Sequence, residues 1–224
     1  MGCQAHFCDS VPRMRSAIGS GDKSRLTAKG RLTRARILEH AAQLIYAHGV
    51  RATNNDAIRA ATGISGSQLT HYFPTKEDLL LEVVSDYAAR VSANINAIDE
   101  SLSAKDQLDR YAQLFANAPS DQICLCGTLA ADLASLSERS RQTLQAFYRV
   151  HEAWLAKVMA RAQIDGTLKA SGDCESDGRW LFAAFQGGLM SSRLFQNASR
   201  LNDVMASVQV AGPVAEPDAH PAAA

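Results

Sequence analysis

The chain has 224 residues, and 23 lysine and arginine residues balance 23 aspartate and glutamate residues. Hydrophobic residues make up 46% of the sequence and charged residues 21%, which is typical of a globular protein with one large domain or two small ones. No run approaches the roughly 18 to 20 apolar residues of a membrane helix, so we expect no membrane partner. The start lacks the apolar region of a secretory signal, which predicts a cytoplasmic protein whose translation begins at Met1 or Met14.

The charges are unevenly distributed along the chain. Residues 1–22 carry two groups of each sign, whereas residues 23–90 carry ten basic and six acidic groups, a net charge of +4. Residues 91–224 carry eleven basic and fifteen acidic groups, a net charge of −4. Positive charge concentrated in one segment is typical of a module that binds a polyanion such as nucleic acid.

Apolar residues repeat with the helical period of 3.6 in the informative segments, which predicts an all-α fold. The first helix is expected to start at an N-cap on Thr33 and to stop at Gly49. A short helix should follow Asn54 and end at Gly63, and Ser65 can cap a third helix that reaches about residue 72.

Longer helices are predicted in the remainder of the chain. One begins at the Thr-x-x-Asp spacing of residues 75–78, a near match to a capping box, and extends into the mid-90s. The others are expected near residues 104–117, 124–137, 138–163 and 174–197, between segments rich in turn-forming residues.

Two short helices joined at Gly63 form the segment from Asn54 to Phe73, which lies inside the basic part of the chain. This layout is that of a helix-turn-helix, although similar helix pairs also occur in purely structural bundles. The pattern therefore predicts four parts: a mobile arm over residues 1–30, a basic segment over 31–91 that contains this helix pair, a longer helical segment over 92–205, and a disordered tail over 206–224.

Several strings of this sequence resemble the N-terminal domain of the TetR family of one-component transcriptional regulators over about residues 31–91. The strings are Ile37-Leu38 with Ala41-Ala42 and Leu44-Ile45, Gly49-Val50-x-Ala52-Thr53, Ile58-x-x-Ala61-x-Gly63-Ile64-Ser65, and His71-Tyr72-Phe73-Pro74-Thr75-Lys76-Glu77-x-Leu79-Leu80. The resemblance implies that residues 31–91 are a helix-turn-helix DNA-binding domain and residues 92–205 a helical regulatory and dimerisation domain. It also implies a homodimer that reads a pseudo-palindromic double-stranded DNA operator, usually as a repressor that an unknown small-molecule inducer releases.

The third helix is expected to read base edges, because it is the second helix of the helix-turn-helix. Gln68 can bond adenine through its amide, Thr70 can place its methyl against thymine, and His71 can do either. Phosphate contacts are expected from Thr53 and Lys76. The further candidates for DNA contact are Ser65, Ser67, Tyr72, Arg31 and Arg34.

Three of these residues also have purely structural readings, in which Thr53 caps a helix, Gln68 is a solvated surface residue and Tyr72 borders the core. The sequence also departs from the usual family string. Gly66-Ser67 stand where Lys-Gly is usual, and Thr70 stands where Tyr is usual. The reading helix has therefore lost a basic residue and an aromatic one, which leaves its phosphate affinity and its target open.

The acidic half contains two helices suited to dimer formation. The segment 138–163 carries a broad apolar stripe, and the segment 174–197 carries two stripes of small residues, at 183, 187 and 191 and at 184, 188 and 192. Two such helices from each chain would form a four-helix interface, although the same stripes could instead form the core of one chain. The residues predicted at the interface are Phe147, His151, Trp154, Val158, Ala184 and Gly188.

Five cysteines, an odd number, predict free thiols. The stretch from Cys124 to Ala130 is similar to a Cys-Leu-x-Gly-x-Leu-Ala stretch in one TetR subgroup, some members of which sense electrophiles or oxidants. A helix N-terminus favours the thiolate of Cys124, so Cys124 and Cys126 are candidates for a thiol sensor, while the alternative is that both are buried apolar residues. We expect no metal and no cofactor, because residues two apart on a helix point in different directions.

An enzyme and a helical adaptor protein are the two alternatives to a DNA-binding regulator. An enzyme is disfavoured, because the sequence has no phosphate-binding glycine loop, no His-Glu-x-x-His and no Gly-x-Ser-x-Gly motif. A helical adaptor for other proteins would lack the salt-dependent binding to duplex DNA that neutralised phosphates produce.

Overall fold

The computed structural model describes residues 26–116 and 124–209. Within these ranges the chain forms helices and no strand, apart from a single bridge between Leu168 and Gln209. The predicted all-α fold is confirmed. The helices are α1 (Ala28–Ala52), α2 (Asn55–Thr62), α3 (Gly66–Tyr72), α4 (Lys76–Asn96), α5 (Ala104–Ala116), α6 (Leu125–Ala130), α7 (Glu138–Asp165), α8 (Cys174–Leu194) and α9 (Ser199–Val208), with one 3₁₀ turn at Leu133–Ser135.

Helix α1 begins earlier than the sequence pattern predicted. Its N-cap is Thr27, whose Oγ1 accepts a hydrogen bond from the Gly30 backbone N–H at 3.1 Å. The predicted cap, Thr33, lies inside the helix and donates its hydroxyl to the Lys29 carbonyl. The last residues of the predicted arm are therefore helical, and residues 1–25 of that arm lie outside the described residues.

The end of α1 agrees better with its prediction. Gly49 has a φ of 77°, a left-handed conformation that interrupts the helix before its last residues. Val50 is buried directly after this break. Gly49 therefore turns the chain where the sequence pattern placed the stop.

The C-terminal part differs from its prediction in two places. The helix expected at 124–137 is a six-residue helix, α6, followed by the 3₁₀ turn. A separate helix, α9, occupies residues predicted as the end of the regulatory domain and the beginning of a tail, and it buries Leu201, Met205 and Val208. Residues 210–224 of the predicted tail lie outside the described residues.

The centre of the C-terminal half is the crossing of α7 and α8. At Gly178 a side chain would place its Cβ 2.5 Å from the Glu152 carbonyl oxygen and 2.8 Å from the Ala156 nitrogen, so the two backbones meet at a residue that has to be glycine. Aromatic rings from α5, α7 and α8 fill the space beside this crossing. They include Tyr111, Phe115, Phe147, His151, Trp154, Phe182 and Phe185.

This packing corrects the predicted dimer interface. Phe147, His151 and Val158 are at most 1% exposed within a single chain, and Trp154 is 8% exposed. Gly188 faces α9 of the same chain, where a Cβ would lie 3.2 Å from Leu201 and Val204 side chains, and Ala184 on the same stripe is only partly exposed. Five of the six predicted residues are therefore covered by their own chain, because α7, α8 and α9 share one core, and Ala184 is half-buried.

Among the helices that the structure describes, each is too short or too polar to cross a bilayer.

Candidate nucleic-acid interface

The turn between α2 and α3 is built by local hydrogen bonds and one left-handed residue. Asn54 caps α2, with its Oδ1 accepting from the Ala57 N–H at 2.9 Å. Gly63 ends α2 at a φ of 70°, which side chains rarely adopt. Ser65 and Gln68 then form a reciprocal capping box at the start of α3. The predicted segment from Asn54 to Phe73 is therefore a helix-turn-helix.

Helix α3 is anchored by one side and exposed on the other. Leu69 is 3% exposed and Phe73, just beyond the helix, is 4% exposed, so both belong to the core. The side chains left in solvent are those of Ser67, Gln68, Thr70 and His71. These four are the ones expected to meet DNA, so the fold presents them together on one face.

Three of these four exposed side chains already use part of their hydrogen-bonding capacity. Gln68 Oε1 accepts from the Ser65 N–H at 3.0 Å, which leaves the amide nitrogen as the part that can donate to a base. Thr70 Oγ1 donates to the Gly66 carbonyl at 3.0 Å, which leaves its methyl as the contact group. Ser65 itself caps α3 through its Oγ and contacts Ser67 Oγ at 3.0 Å.

Thr53 and Lys76, the predicted phosphate contacts, both bind the end of α1. Thr53 is only 4% exposed, and its Oγ1 donates to the Gly49 carbonyl at 2.9 Å. Lys76 is exposed, but its Nζ donates to the Val50 carbonyl at 2.8 Å. In this conformation Thr53 is a structural residue, whereas Lys76 both closes the end of α1 and remains open to solvent.

The predicted arginine contacts divide in the same way. Arg34 forms an ion pair with Glu82 at 2.7 Å, and its guanidinium lies 5.1 Å from the centre of the Phe73 ring. These side chains are largely buried, so Arg34 joins α1 to α4 and is not presented to a ligand. Arg31 is exposed and donates to the Leu26 carbonyl at 2.7 Å.

Tyr72, the remaining aromatic candidate, is half-buried at the edge of the core. Its ring lies 5.2 Å from that of the exposed His71 in an edge-on arrangement. The position fits the structural reading of Tyr72 and still leaves part of its ring open to solvent.

Sequence reasoning missed Arg59. This residue lies on α2, and its Nε is 3.9 Å from the position that a Cβ would take at Gly66, the first residue of α3. Gly66 stands where a lysine is usual, but no local pattern could show that Arg59, seven residues earlier on another helix, lies beside it.

A second cluster of reactive groups lies at the start of α6. Cys124 is 5% exposed and Cys126 is fully buried, and the Tyr87 hydroxyl donates to Cys124 Sγ at 3.5 Å. Hydrogen bonds from the Cys126 thiol and then from the Tyr87 hydroxyl lower the pKa of Cys124 to about 6, despite its burial. Burial, and then the hydrogen bond to Cys124, raise the pKa of Cys126 well above its usual value.

The thiol cluster is joined to α1 and packed closely against α8. Burial raises the pKa of Tyr46 of α1 to about 12, and the neighbouring Tyr87 hydroxyl offsets part of that rise. Gly127 makes room for Gln186 of α8, whose Oε1 would lie 2.5 Å from a Cβ at that position. Within the described residues Cys124 and Cys126 are free thiols, and no cluster of three or more histidine, cysteine or acidic side chains could hold a metal.

Helix α8 also presents an apolar face to solvent. Trp180, Met190 and Leu194 are 51%, 54% and 77% exposed, and Ala183 and Gly187 between them are exposed as well. At Gly187 an added Cβ would meet no atom within 4 Å. The small-residue stripe at 183 and 187 is therefore outside, while the stripe at 184 and 188 faces inward.

Comparisons with known proteins cover both halves of the chain. Residues 37–83 match the family model described as "Bacterial regulatory proteins, tetR family", and residues 105–208 match "Tetracyclin repressor-like, C-terminal domain". No curated protein matches the chain in sequence.

Solved structures share the fold at low sequence identity. A TetR-family transcriptional regulator from Agrobacterium tumefaciens is 23% identical with a TM-score of 0.75, and the match covers 80% of this chain and 99% of that one. The reduced form of NemR from E. coli is 21% identical with a TM-score of 0.70, over 81% and 100% of the two chains. A TetR transcriptional regulator from Legionella pneumophila is 26% identical with a TM-score of 0.68, over 81% and 95%.

The helix-turn-helix with its exposed reading face, the helical C-terminal half and the two family matches lead to one assignment. This chain belongs to the TetR family of bacterial transcriptional regulators, and it is a DNA-binding protein and not an enzyme.

Proposed function

We propose that the protein is a cytoplasmic homodimeric repressor that reads a pseudo-palindromic operator with α3 and is released by a small-molecule inducer or by modification of a thiol. The observation that carries the proposal is the exposed set Ser67, Gln68, Thr70 and His71 on the second helix of a helix-turn-helix. In this motif the second helix enters the major groove, where amide, hydroxyl and imidazole groups can distinguish base pairs.

Positive charge around the reading helix supports the DNA partner. Lys76 and Arg31 are exposed on the helices that flank the motif, and Arg59 lies beside the start of α3. Cations at these places can neutralise backbone phosphates on both sides of the groove, which is the part of the affinity that does not depend on sequence.

The apolar face of α8 supports the dimer. A single helix-turn-helix covers little of the groove, and two-fold dimers read two half-sites about one helical turn apart. Trp180, Met190 and Leu194 form an exposed apolar stripe, and Gly187 lets a second helix approach closely. Burial of such a stripe against its two-fold copy would stabilise the pair, because large exposed apolar patches mark interaction sites.

The thiol cluster supports one route of release. The lowered pKa of Cys124 favours its thiolate, the nucleophilic form of cysteine, and its Sγ accepts a hydrogen bond from Tyr87 of α4, beside Tyr46 of α1. Modification of Cys124 would add volume in a buried site that touches both helices. An inducer that binds among the helices of the C-terminal half would act on the same contacts, and either event would change the separation of the two reading heads.

The proposal is tested by selecting bound fragments from genomic DNA with the purified protein. We expect recovered fragments to share a pseudo-palindrome, and we expect the affinity for that operator to fall steeply as salt rises from about 50 to 200 mM. Protein that recovers no common sequence, and that binds duplex DNA at no salt concentration, would instead be a helical adaptor.

A matched pair of variants tests the reading helix itself. Gln68→Ala is expected to weaken binding to the selected operator by roughly ten- to a hundredfold and to leave binding to a scrambled duplex almost unchanged. Gln113→Ala, at an exposed position on α5, is the control and should leave both affinities unchanged. An equal loss on both duplexes for Gln68→Ala would remove α3 from base reading.

A further inference from the structure

We propose that Arg59 of α2 supplies the phosphate-binding cation that the first turn of α3 lacks, with its side chain lying over Gly66 and directed at the DNA backbone. The inference rests on the proposed function, since it assigns a further DNA contact to the same surface. The partner is a backbone phosphate beside the groove that α3 enters.

The Arg59 side chain lies beside the first residue of α3. Its Nε, Cδ and Cζ atoms lie 3.9, 4.0 and 4.0 Å from the position of a Cβ at Gly66. The guanidinium therefore lies at ordinary van der Waals distance from the point where a side chain of residue 66, the half-buried first residue of α3, would begin. A cation attached to Gly66 itself would begin at the same point.

Gly66 leaves the space beside the start of α3 available to the Arg59 side chain. The glycine is helical, and the chain does not need a left-handed conformation there. A longer side chain at this residue would compete with Arg59 for the same space. The small residue on α3 and the long cation on α2 are thus complementary.

Arg59 faces the negative charge of Asp56, one turn earlier on α2. Its Nη1 pairs with Asp56 Oδ1 at 3.1 Å, and the two side chains are 47% and 89% exposed. A pair this exposed contributes little to stability, because water and salt screen it. A phosphate can therefore take over the guanidinium at low cost, and Asp56 acts as the competitor that a phosphate must displace.

The experiment measures binding of the full chain to a fluorescein-labelled duplex of mixed sequence, long enough for two half-sites, over a range of salt concentrations. Arg59→Ala is expected to lower the affinity about fivefold at low salt and to reduce the slope of log affinity against log salt by about 0.9 per chain. Arg59→Lys should keep most of the slope, because it keeps the charge. Arg110→Ala, at an exposed site on α5, is the control and should match the wild type.

Two further variants separate a DNA contact from a structural role. Arg59→Ala combined with Gly66→Lys returns a cation to the same place from α3, so the wild-type slope should return. Asp56→Asn should raise the affinity severalfold, because it removes the competing carboxylate.

The inference is overturned if Arg59→Ala keeps the wild-type slope, or if it weakens binding by the same factor at every salt concentration. It is also overturned if Gly66→Lys fails to restore the slope in a double variant whose melting temperature equals that of the wild type. Wild-type protein that binds no duplex would contradict the proposed function instead, so the two failures are distinguishable.

Discussion

His151 is fully buried among aromatic rings, with its Nδ1 2.7 Å from the Tyr111 hydroxyl. Burial raises the pKa of Tyr111, so its hydroxyl keeps its proton and can donate to the imidazole. The His151 Nε2 has no hydrogen-bond partner in the described residues. Burial lowers the pKa of His151 to about 3, so the ring is neutral at physiological pH.

We expect His151 to make the protein less stable in mild acid. The unfolded chain binds a proton at this residue near pH 6.5 and the folded chain does not, so acidification favours unfolding from about pH 6.5 down to about pH 3. Between pH 7 and pH 5 the loss is about 2 kcal/mol in the free energy of unfolding. Urea denaturation at the two pH values measures it.

The control for this prediction is His151→Phe, which removes the titrating group. The variant changes the free energy of unfolding at pH 7 by an amount that depends on packing, but its change between pH 7 and pH 5 should be about 2 kcal/mol smaller than in the wild type. Equal pH dependence in the two proteins would show that the folded state accepts the proton.

The low pKa of Cys124 predicts how its alkylation depends on pH. Because its pKa is lowered to about 6, its rate of alkylation by iodoacetamide should be nearly constant above pH 7 and should fall as pH decreases through 6. Burial slows the reaction at every pH, because the reagent has to reach a covered sulfur atom. Mass spectrometry of the labelled peptide gives the rate at each pH.

Cys126→Ala is the variant that tests the cause of this shift. It removes the thiol that donates to Cys124 Sγ, so the midpoint of alkylation should move upward by a unit or more. Cys174→Ala is the matched control, since Cys174 is buried on α8, away from the pair. A midpoint that stays near 6 in Cys126→Ala would show that the Cys126 thiol does not stabilise the thiolate.

At the scale of single residues the sequence predicted local roles better than distant ones. The cap at Ser65 and the turn at Gly63 depend on neighbours within four residues, and both predictions agree with the structure. Lys76 and Arg34 find their partners 26 and 48 positions away, at Val50 and Glu82, so no local pattern could show that these cations are already engaged.

Two of the three glycines in helix α8 have opposite surroundings. Gly178 meets the backbone of α7, whereas Gly187 has open space at the Cβ position. The same chemical change therefore has different consequences nine residues apart on one helix.

We expect Gly178→Ala to destabilise the fold and Gly187→Ala to be tolerated. A Cβ at residue 178 would force α7 and α8 apart, at a cost of roughly 2 to 4 kcal/mol. At residue 187 alanine should stabilise the isolated chain by up to about 1 kcal/mol, because glycine is the poorer helix former. Thermal unfolding of both variants measures the contrast, and equal melting temperatures would contradict the close crossing of α7 with α8.

Helix type and approximate bounds could be predicted from periodicity, but the partner of each apolar face could not. The stripe with Phe147 and Trp154 was correctly identified as apolar, and the structure covers it with α5 and α8 of the same chain. Periodicity states which face avoids water and gives no information about which element covers it. Periodicity did not predict helix α9, because this helix has only ten residues and carries no apolar run.

The exposed apolar face of α8 is the proposed contact between two copies of the whole molecule, so measuring the oligomeric state of a variant tests it directly. Met190→Glu would place a charge in the centre of the proposed dimer contact, and we expect it to shift the protein from dimer to monomer and to lower operator affinity by at least tenfold. Analytical ultracentrifugation and duplex titration measure the two effects. Gln113→Glu adds the same charge on α5 and should leave both unchanged.

The outcome that would contradict this prediction is a variant that stays dimeric. If Met190→Glu sediments with the mass of the wild type and binds the operator equally well, the protomers meet through another surface. In that case the apolar stripe at Trp180, Met190 and Leu194 needs a different occupant.

The exposure of that stripe has a consequence for how the protein responds to its own abundance. If the stripe is covered only when two copies meet, the population that can occupy both half-sites grows with the square of the copy number while dimers are scarce, and linearly once they dominate. Silencing of a target gene would then rise steeply over a narrow range of the protein's own concentration. Newly made copies would remain inactive until each had paired with a second copy.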